Sequence, residues 1–392
     1  MGALRGSTRA LALLKTAVLA RFLTPGQFGV YGVGMLALGF LEILTETGIN
    51  IFLIQEKDRF KKYLNSAWVV SIIRGFFIAL AIIMATPMVL EFFKLPQALL
   101  ILRLIALVAF VRGFINPGVV IFQKNLRFKQ EFIYRTGLFI VDTTAAVFLG
   151  IATRSELSLV WGMLAAALLE VVTSFIIFKP RPKLILEIEK FKQVVSRGKW
   201  ITLAGVFNYL FQHLDDIVVG KLLGVGSLGV YQQAYRISTL PISEVQEIFN
   251  KVTFPVYVGV SGQKEVLRKA FLKTTLTIAL LVIPAGIIFL VFAKSIVALV
   301  LGAGWLEAVY PLKVLAIFAI FKAISNSAFP IFLGVKKQEI ISLVTLASII
   351  GLAVTIVPLT FSYGLVGAGM STIIGSLVGL PFIVYYLIKI LK

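Results

Sequence analysis

Apolar runs of about 20 residues recur along this chain, separated by Gly, Pro and clusters of charge. At a rise of about 1.5 Å per residue, a helix of that length matches the hydrocarbon thickness of a bilayer. In lipid the backbone must satisfy its own hydrogen bonds, so only helices and closed barrels can span it. The regular alternation of barrel strands is absent. With 59% hydrophobic and 14% charged residues, the chain carries more apolar surface than a water-soluble core could hide. It therefore reads as an all-α integral membrane protein.

The breaks predict about twelve spans. The first half falls near residues 3 to 22, 28 to 54, 63 to 90, 97 to 122, 131 to 152 and 157 to 178. The second falls near 199 to 222, 227 to 258, 270 to 293, 308 to 334, 339 to 361 and 364 to 390.

Lys and Arg number 38 against 18 Asp and Glu, a net charge of +20, which in a soluble chain would suggest nucleic acid. The position of the cations excludes that partner. One set of connections holds Lys57, Arg59, Lys61 and Lys62, then Lys124, Arg127 and Lys129, then the stretch from Lys179 to Lys199, and later Lys264, Arg268, Lys269, Lys336 and Lys337. The interleaved connections carry a single cation or none: Arg21, Lys94, Arg154, Lys221 and Lys294. By the positive-inside rule the rich set is cytoplasmic, with both termini on that side.

The chain has no cysteine and one histidine, His213, so it lacks a thiol nucleophile, a disulfide framework and the usual Cys or His-pair metal motifs. It also lacks a G-x-x-x-x-G-K-[ST] phosphate loop. No cofactor is expected, and any pumping would draw on a gradient or on another protein, as in a secondary transporter that is not an enzyme.

Residues 21 to 31, RFLTPGQFGVY, stand in register with 221 to 231, KLLGVGSLGVY, and share Leu23/Leu223, Gly26/Gly226, Gly29/Gly229, Val30/Val230 and Tyr31/Tyr231. Each joins the first two spans of its half. A six-span repeat returns the chain to its starting side, so the two six-helix bundles are expected to be related by a pseudo-twofold axis along the membrane normal. The predicted division is an N-terminal half at 1–178, a basic cytoplasmic linker at 179–199 and a C-terminal half at 200–392. Such repeats belong to transporters that work by alternating access.

A charge at mid-bilayer costs about 2.5 to 3.5 kcal/mol on insertion scales, so buried charges face a cavity or a partner. Arg74, Arg112, Arg236 and Lys322 fall inside predicted spans, and Arg5, Arg9 and Lys15 share an arc of roughly 120° on the first. These seven are the expected lining of a cationic, substrate-binding cavity. The competing readings are an interfacial first helix with snorkelling cations and an internal ion pair such as Arg74 with Asp142. Asp142, Glu170, Asp215 and Asp216 are the candidates for ion coupling or ion pairing. Arg103 lies half a turn round the helix from Arg112, so both cannot face one cavity. Arginine forks suit a pyrophosphate.

The stretches ARFLTPGQFGVYGV at 20 to 33, FFKLPQALLILRLIAL at 92 to 107, QKNLRFKQEF at 123 to 132 and NYLFQHLDDIVVGKLLGVGSLGVYQQAYRISTLP at 208 to 241 resemble the polysaccharide-export flippases of the multidrug, oligosaccharidyl-lipid and polysaccharide exporter superfamily, in its TuaB/WzxC-like branch. The resemblance covers nearly the whole chain. It implies a flippase of the bacterial plasma membrane that moves a polyprenyl-pyrophosphate-linked oligosaccharide for surface polysaccharide biosynthesis, amid membrane lipids and beside polysaccharide polymerase machinery. By motif match Asp216, Lys221 and Arg236 fall on family positions. Many members carry two more spans and a longer basic N-terminus, so the resemblance also suggests an N-terminally truncated reading frame. The alternatives are a multidrug or cation antiporter of the related branch, whose cavity should be acidic, and a polytopic glycan polymerase or ligase, which would need a large external loop.

Overall fold

The computed structural model describes residues 2–46, 53, 60–185 and 199–392, and among them all regular structure is helical. The first half contains α1 (Gly2–Leu19), α2 (Pro25–Leu44), α3 (Phe60–Phe93), α4 (Leu99–Gly113), α5 (Ile121–Lys124), α6 (Phe128–Thr153) and α7 (Leu157–Ile177). Then follow α8 (Lys199–Leu223), α9 (Val225–Gly259), α10 (Lys264–Val291), α11 (Ala293–Val300), α12 (Val309–Ser325), α13 (Phe329–Gly334) and α14 (Gln338–Leu391).

Helix occupies each stretch where a span was expected, with two differences. α2 ends at Leu44, well short of residue 54; of the remainder, 47–52 and 54 lie outside the described residues, as do Lys57 and Arg59. The last two expected spans form the single helix α14, broken at Gly364, whose φ of 59° and ψ of −137° suit glycine alone. Among the described residues, eight segments are long and apolar enough to cross a membrane. α14 counts once there although it holds two expected spans, and α1, α8 and α9 carry clusters of charge, such as Arg9 with Lys15 and Asp215 with Asp216. The chain is a multi-pass membrane protein. Its outward faces are apolar, with Met88 73% and Phe361 84% exposed, as lipid contact requires.

The chain divides into two compact units, Met1–His213 and Leu214–Lys392. In the first, α6 packs on α7 and α1, and α4 packs on α3, α7 and α2. The start of α8 belongs here too: Tyr209 donates its hydroxyl to the Leu36 carbonyl at 2.7 Å. Most of the expected linker, 186–198, lies outside the described residues. In the second unit α12 is central and packs on α9, α10 and α14.

Local chemistry sets the junctions. Thr24, Pro25 and Gln27 open α2 with a capping box, in which the Thr24 side chain accepts from the Gln27 amide and Gln27 Oε1 accepts from the Thr24 amide. Gln27 Nε2 then donates to the Arg154 carbonyl at 2.8 Å, tying this turn to the one between α6 and α7. Backbone landmarks also recur. After α5, Leu126 has φ 55°, and after α13, Lys336 has φ 57°. Arg154 (φ 50°) ends α6, and Gly364 breaks α14. Each unit thus repeats a helix, a 3-10 turn, a short helix, a left-handed residue, a long helix, a second left-handed residue and a final helix.

Without a hydrophobic drive between helices in lipid, close packing depends on small residues. At Gly162 of α7 an added Cβ would stand 2.5 Å from the Asp142 carbonyl and 2.7 Å from Ala146 Cβ on α6. Gly162→Val should therefore force α6 and α7 apart and lower the melting temperature in detergent by at least about 5 °C. Gly137→Ala, where a Cβ meets nothing within 4 Å, should leave it unchanged. Equal melting of Gly162→Val and wild type would contradict this packing.

Candidate functional site

A cavity of about 240 Å³ opens within the first unit, lined by Glu42, Arg74, Arg112, Arg135 and Glu170 among smaller residues. Its position follows from two Arg-Gly dipeptides. A Cβ on Gly75 would lie 2.9 Å from the Ala109 carbonyl, and one on Gly113 would lie 2.9 Å from the Ser71 carbonyl. The two glycines let α3 and α4 touch backbone to backbone, which brings the preceding Arg74 and Arg112 to one place. Arg112 is in the last turn of α4 and Glu42 in the last turn of α2. Arg135 is two turns into α6, beyond the basic connection of Lys124, Arg127 and Lys129. The cavity therefore lies toward the end of the unit that bears cationic connections.

Arg74 closes the C-terminus of α2. Its Nη2 donates to the Glu42 carbonyl and approaches Glu46 Oε2 at 3.4 Å, and its Nε donates to Thr45 Oγ1 at 3.1 Å. A cation suits that end of the helix dipole. Arg112 Nη1 reaches Glu42 Oε1 at 3.3 Å. Arg135 Nε is held by Glu131 at 2.8 Å, and Glu131 also accepts from Gln123 at 2.7 Å. Tyr134 donates to the Glu170 carbonyl.

Of the seven expected cavity cations, the structure gathers Arg74 and Arg112 here, together with Glu170. Lys15 lies elsewhere, buried in an ion pair with Asp142 whose two oxygens stand 2.9 and 2.8 Å from its ammonium. The suggested Arg74–Asp142 pair is thereby replaced: α6 packs on α1 and α7, so Asp142 meets Lys15, while Arg74 meets α2. Arg9 is half-buried on α1 and is not on the cavity wall. The side chain of Arg5 lies outside the described residues. Arg236 is exposed on α9, and Arg103 is exposed on the other face of α4.

In the second unit Asp215 and Asp216 are buried on α8, and Tyr231 donates to Asp215 Oδ2 at 2.9 Å. Lys322 sits over the Phe318 ring, 5.2 Å from its centroid and within electrostatic reach of Asp215. Within the first unit, the cavity that gathers Arg74 and Arg112 also carries the carboxylates Glu42 and Glu170.

Two lining residues escaped the sequence reading. Glu42 lies inside the expected span 28 to 54, and Arg135 lies close to the start of 131 to 152; neither entered the inventory of buried charges. The signals were the i,i+4 spacings of Glu42 with Glu46 and of Glu131 with Arg135.

Residues 18–310 match the family described as polysaccharide biosynthesis protein. The chain belongs to that family. An uncharacterized membrane protein in the cps region of Klebsiella pneumoniae is 25% identical over 388 residues, 97% of this chain and 79% of its own length. The teichuronic acid biosynthesis protein TuaB of Bacillus subtilis is 23% identical, with 77% of this chain and 63% of the relative covered. The lipopolysaccharide biosynthesis protein WzxC of Escherichia coli is 21% identical, with 84% and 68% covered. In fold the chain is similar to the lipid II flippase MurJ in an inward closed conformation, with TM-score 0.81, 15% identity, and 99% of this chain and 89% of that one covered. It is also similar to an inward-facing multidrug resistance MATE transporter of the MOP superfamily, at TM-score 0.75, 16% identity, and 97% and 94% coverage.

The Lys15–Asp142 pair gives a direct test of structural against binding roles. Removing one partner of a buried pair costs about 3 to 5 kcal/mol, whereas replacing both with apolar residues is nearly neutral. Lys15→Met should unfold in detergent well below wild type, and Lys15→Met with Asp142→Leu should recover most of the loss. Additive losses in the double variant would show that the two side chains do not act as a pair.

Proposed function

We propose that this protein is a flippase that carries a polyprenyl-pyrophosphate-linked oligosaccharide across the bacterial plasma membrane for surface polysaccharide biosynthesis. The observation that carries the reading is the meeting of Arg74, Arg112 and Arg135 at one cavity inside a membrane fold of this family. Guanidinium forks bond two phosphate oxygens at once, and their field is strong where water is scarce. The names of relatives agree: teichuronic acid biosynthesis, lipopolysaccharide biosynthesis, and a putative O-antigen transporter of Shigella flexneri.

The finer reading is about twelve spans in two six-helix halves, 1–178 and 200–392, joined by the segment 179–199 and related by a pseudo-twofold axis along the membrane normal. The recurring backbone landmarks support it. With the basic connections cytoplasmic, the cavity lies on the side where a lipid-linked sugar is assembled, and rocking of the halves carries the head group outward for the polymerase machinery. Asp215 and Asp216 are the candidates for coupling to an ion gradient. The MATE likeness raises export of organic cations as a rival; the family match and the names of the relatives favour the acidic glycolipid.

Arg74→Ala and Arg112→Ala should each lower export of the lipid-linked glycan more than tenfold in cells that depend on this protein, with the amount inserted in the membrane unchanged. Arg103→Ala, on the opposite face of α4, should export normally. Normal export by both cavity variants would overturn the proposal.

A further inference from the structure

We propose that Glu42 and Glu46, at the C-terminal end of α2, are built-in counter-ions that hold Arg74 and Arg112 and are exchanged for the phosphates of the substrate. The inference rests on the reading of this cavity as the pyrophosphate site and adds how that site is regulated.

Three observations carry it. The first is charge. The wall has three arginines and two glutamates, Glu46 reaches Arg74 from just beyond α2, and Glu131 holds Arg135, so each guanidinium already faces a carboxylate. A dianion gains most from such a site by taking the carboxylates' place. The second is bond length. The Arg74–Glu46 and Arg112–Glu42 pairs stand at 3.4 and 3.3 Å, against 2.8 Å for Lys15–Asp142 and 2.8 Å for Arg135–Glu131. Charge-assisted bonds at full strength are about 2.7 to 2.9 Å. The third is exposure. Side chains of the loose pairs are 26 to 42% exposed, whereas those of Lys15 and Asp142 are 10 and 12% exposed. Exposed ion pairs are weak and easily exchanged.

The exchange has a mechanical side. Arg74 caps α2 through the Glu42 carbonyl and Thr45 Oγ1. A phosphate that draws the guanidinium away leaves the last turn of α2 without that cap, so occupation of the cavity is reported to α2. Were the carboxylates instead the groups that read a cationic substrate, their removal would weaken binding.

Binding of farnesyl pyrophosphate to the purified full chain in detergent, measured by calorimetry, tests this. Glu42→Gln and Glu46→Gln should each tighten binding at least threefold, since one carboxylate answers Arg112 and the other Arg74. Hydrogen exchange of wild-type amides at residues 41–45 should quicken at least twofold when the diphosphate binds. If Arg74→Ala weakens binding tenfold but Glu42→Gln leaves it unchanged or weaker, the counter-ion role is wrong and the pyrophosphate site stands. Slower or unchanged exchange of the α2 amides also overturns the counter-ion role. If neither Arg74→Ala nor Arg112→Ala weakens binding, the site itself is wrong.

Discussion

A guanidinium inside an apolar layer needs an acceptor within reach, and where that acceptor comes from decides whether the charge is structural or available. Lys15 and Asp142 meet at 2.8 Å, buried, on helices that pack directly. That pair fastens α1 to α6. Arg74 and Arg112 answer to the C-terminal end of α2 instead, with ion pairs of 3.4 and 3.3 Å on a cavity wall. Buried charge therefore serves as a rivet in one place and, in the proposed function, as ligand reader in another.

Close approach of helices makes the second arrangement possible. Gly75 and Gly113 remove the side chains that would otherwise separate α3 from α4, and the arginine before each glycine is carried to the contact. Glycine here sets where charge is presented, beyond its usual part in membrane helix packing. Larger residues at either position would spread the arginines as well as loosen the fold.

Much of the architecture was legible because hydropathy and breaks are strong signals in lipid. The break between the expected spans 339 to 361 and 364 to 390 matched Gly364, whose φ is positive. The end of α2 at Leu44 was not legible, since apolar residues continue past Glu46 and the groups at that end are bonded by Arg74 from another helix. Leu126, Arg154 and Lys336 adopt left-handed backbone without being glycine, so the repeat they mark leaves little trace in residue identity. For the candidate site, depth along the helix found Arg74, Arg112 and Glu170. It could not tell that Lys15 and Asp142 would consume each other, because which helices pack together is a tertiary fact.

The chain belongs to the polysaccharide biosynthesis family and resembles the lipid II flippase MurJ in fold; in the proposed function a large, acidic head group crosses hydrocarbon beside these charges. A cavity whose arginines are already loosely answered suits such cargo, since a site that held phosphate with bare cations would release it slowly. The most direct measurement is a leaflet-resolved translocation assay in proteoliposomes with a pyrophosphate-linked oligosaccharide lipid and, separately, a lipophilic cation. Movement of the glycolipid between leaflets without transport of the cation is the predicted result; transport of the cation with the glycolipid left in place would contradict it.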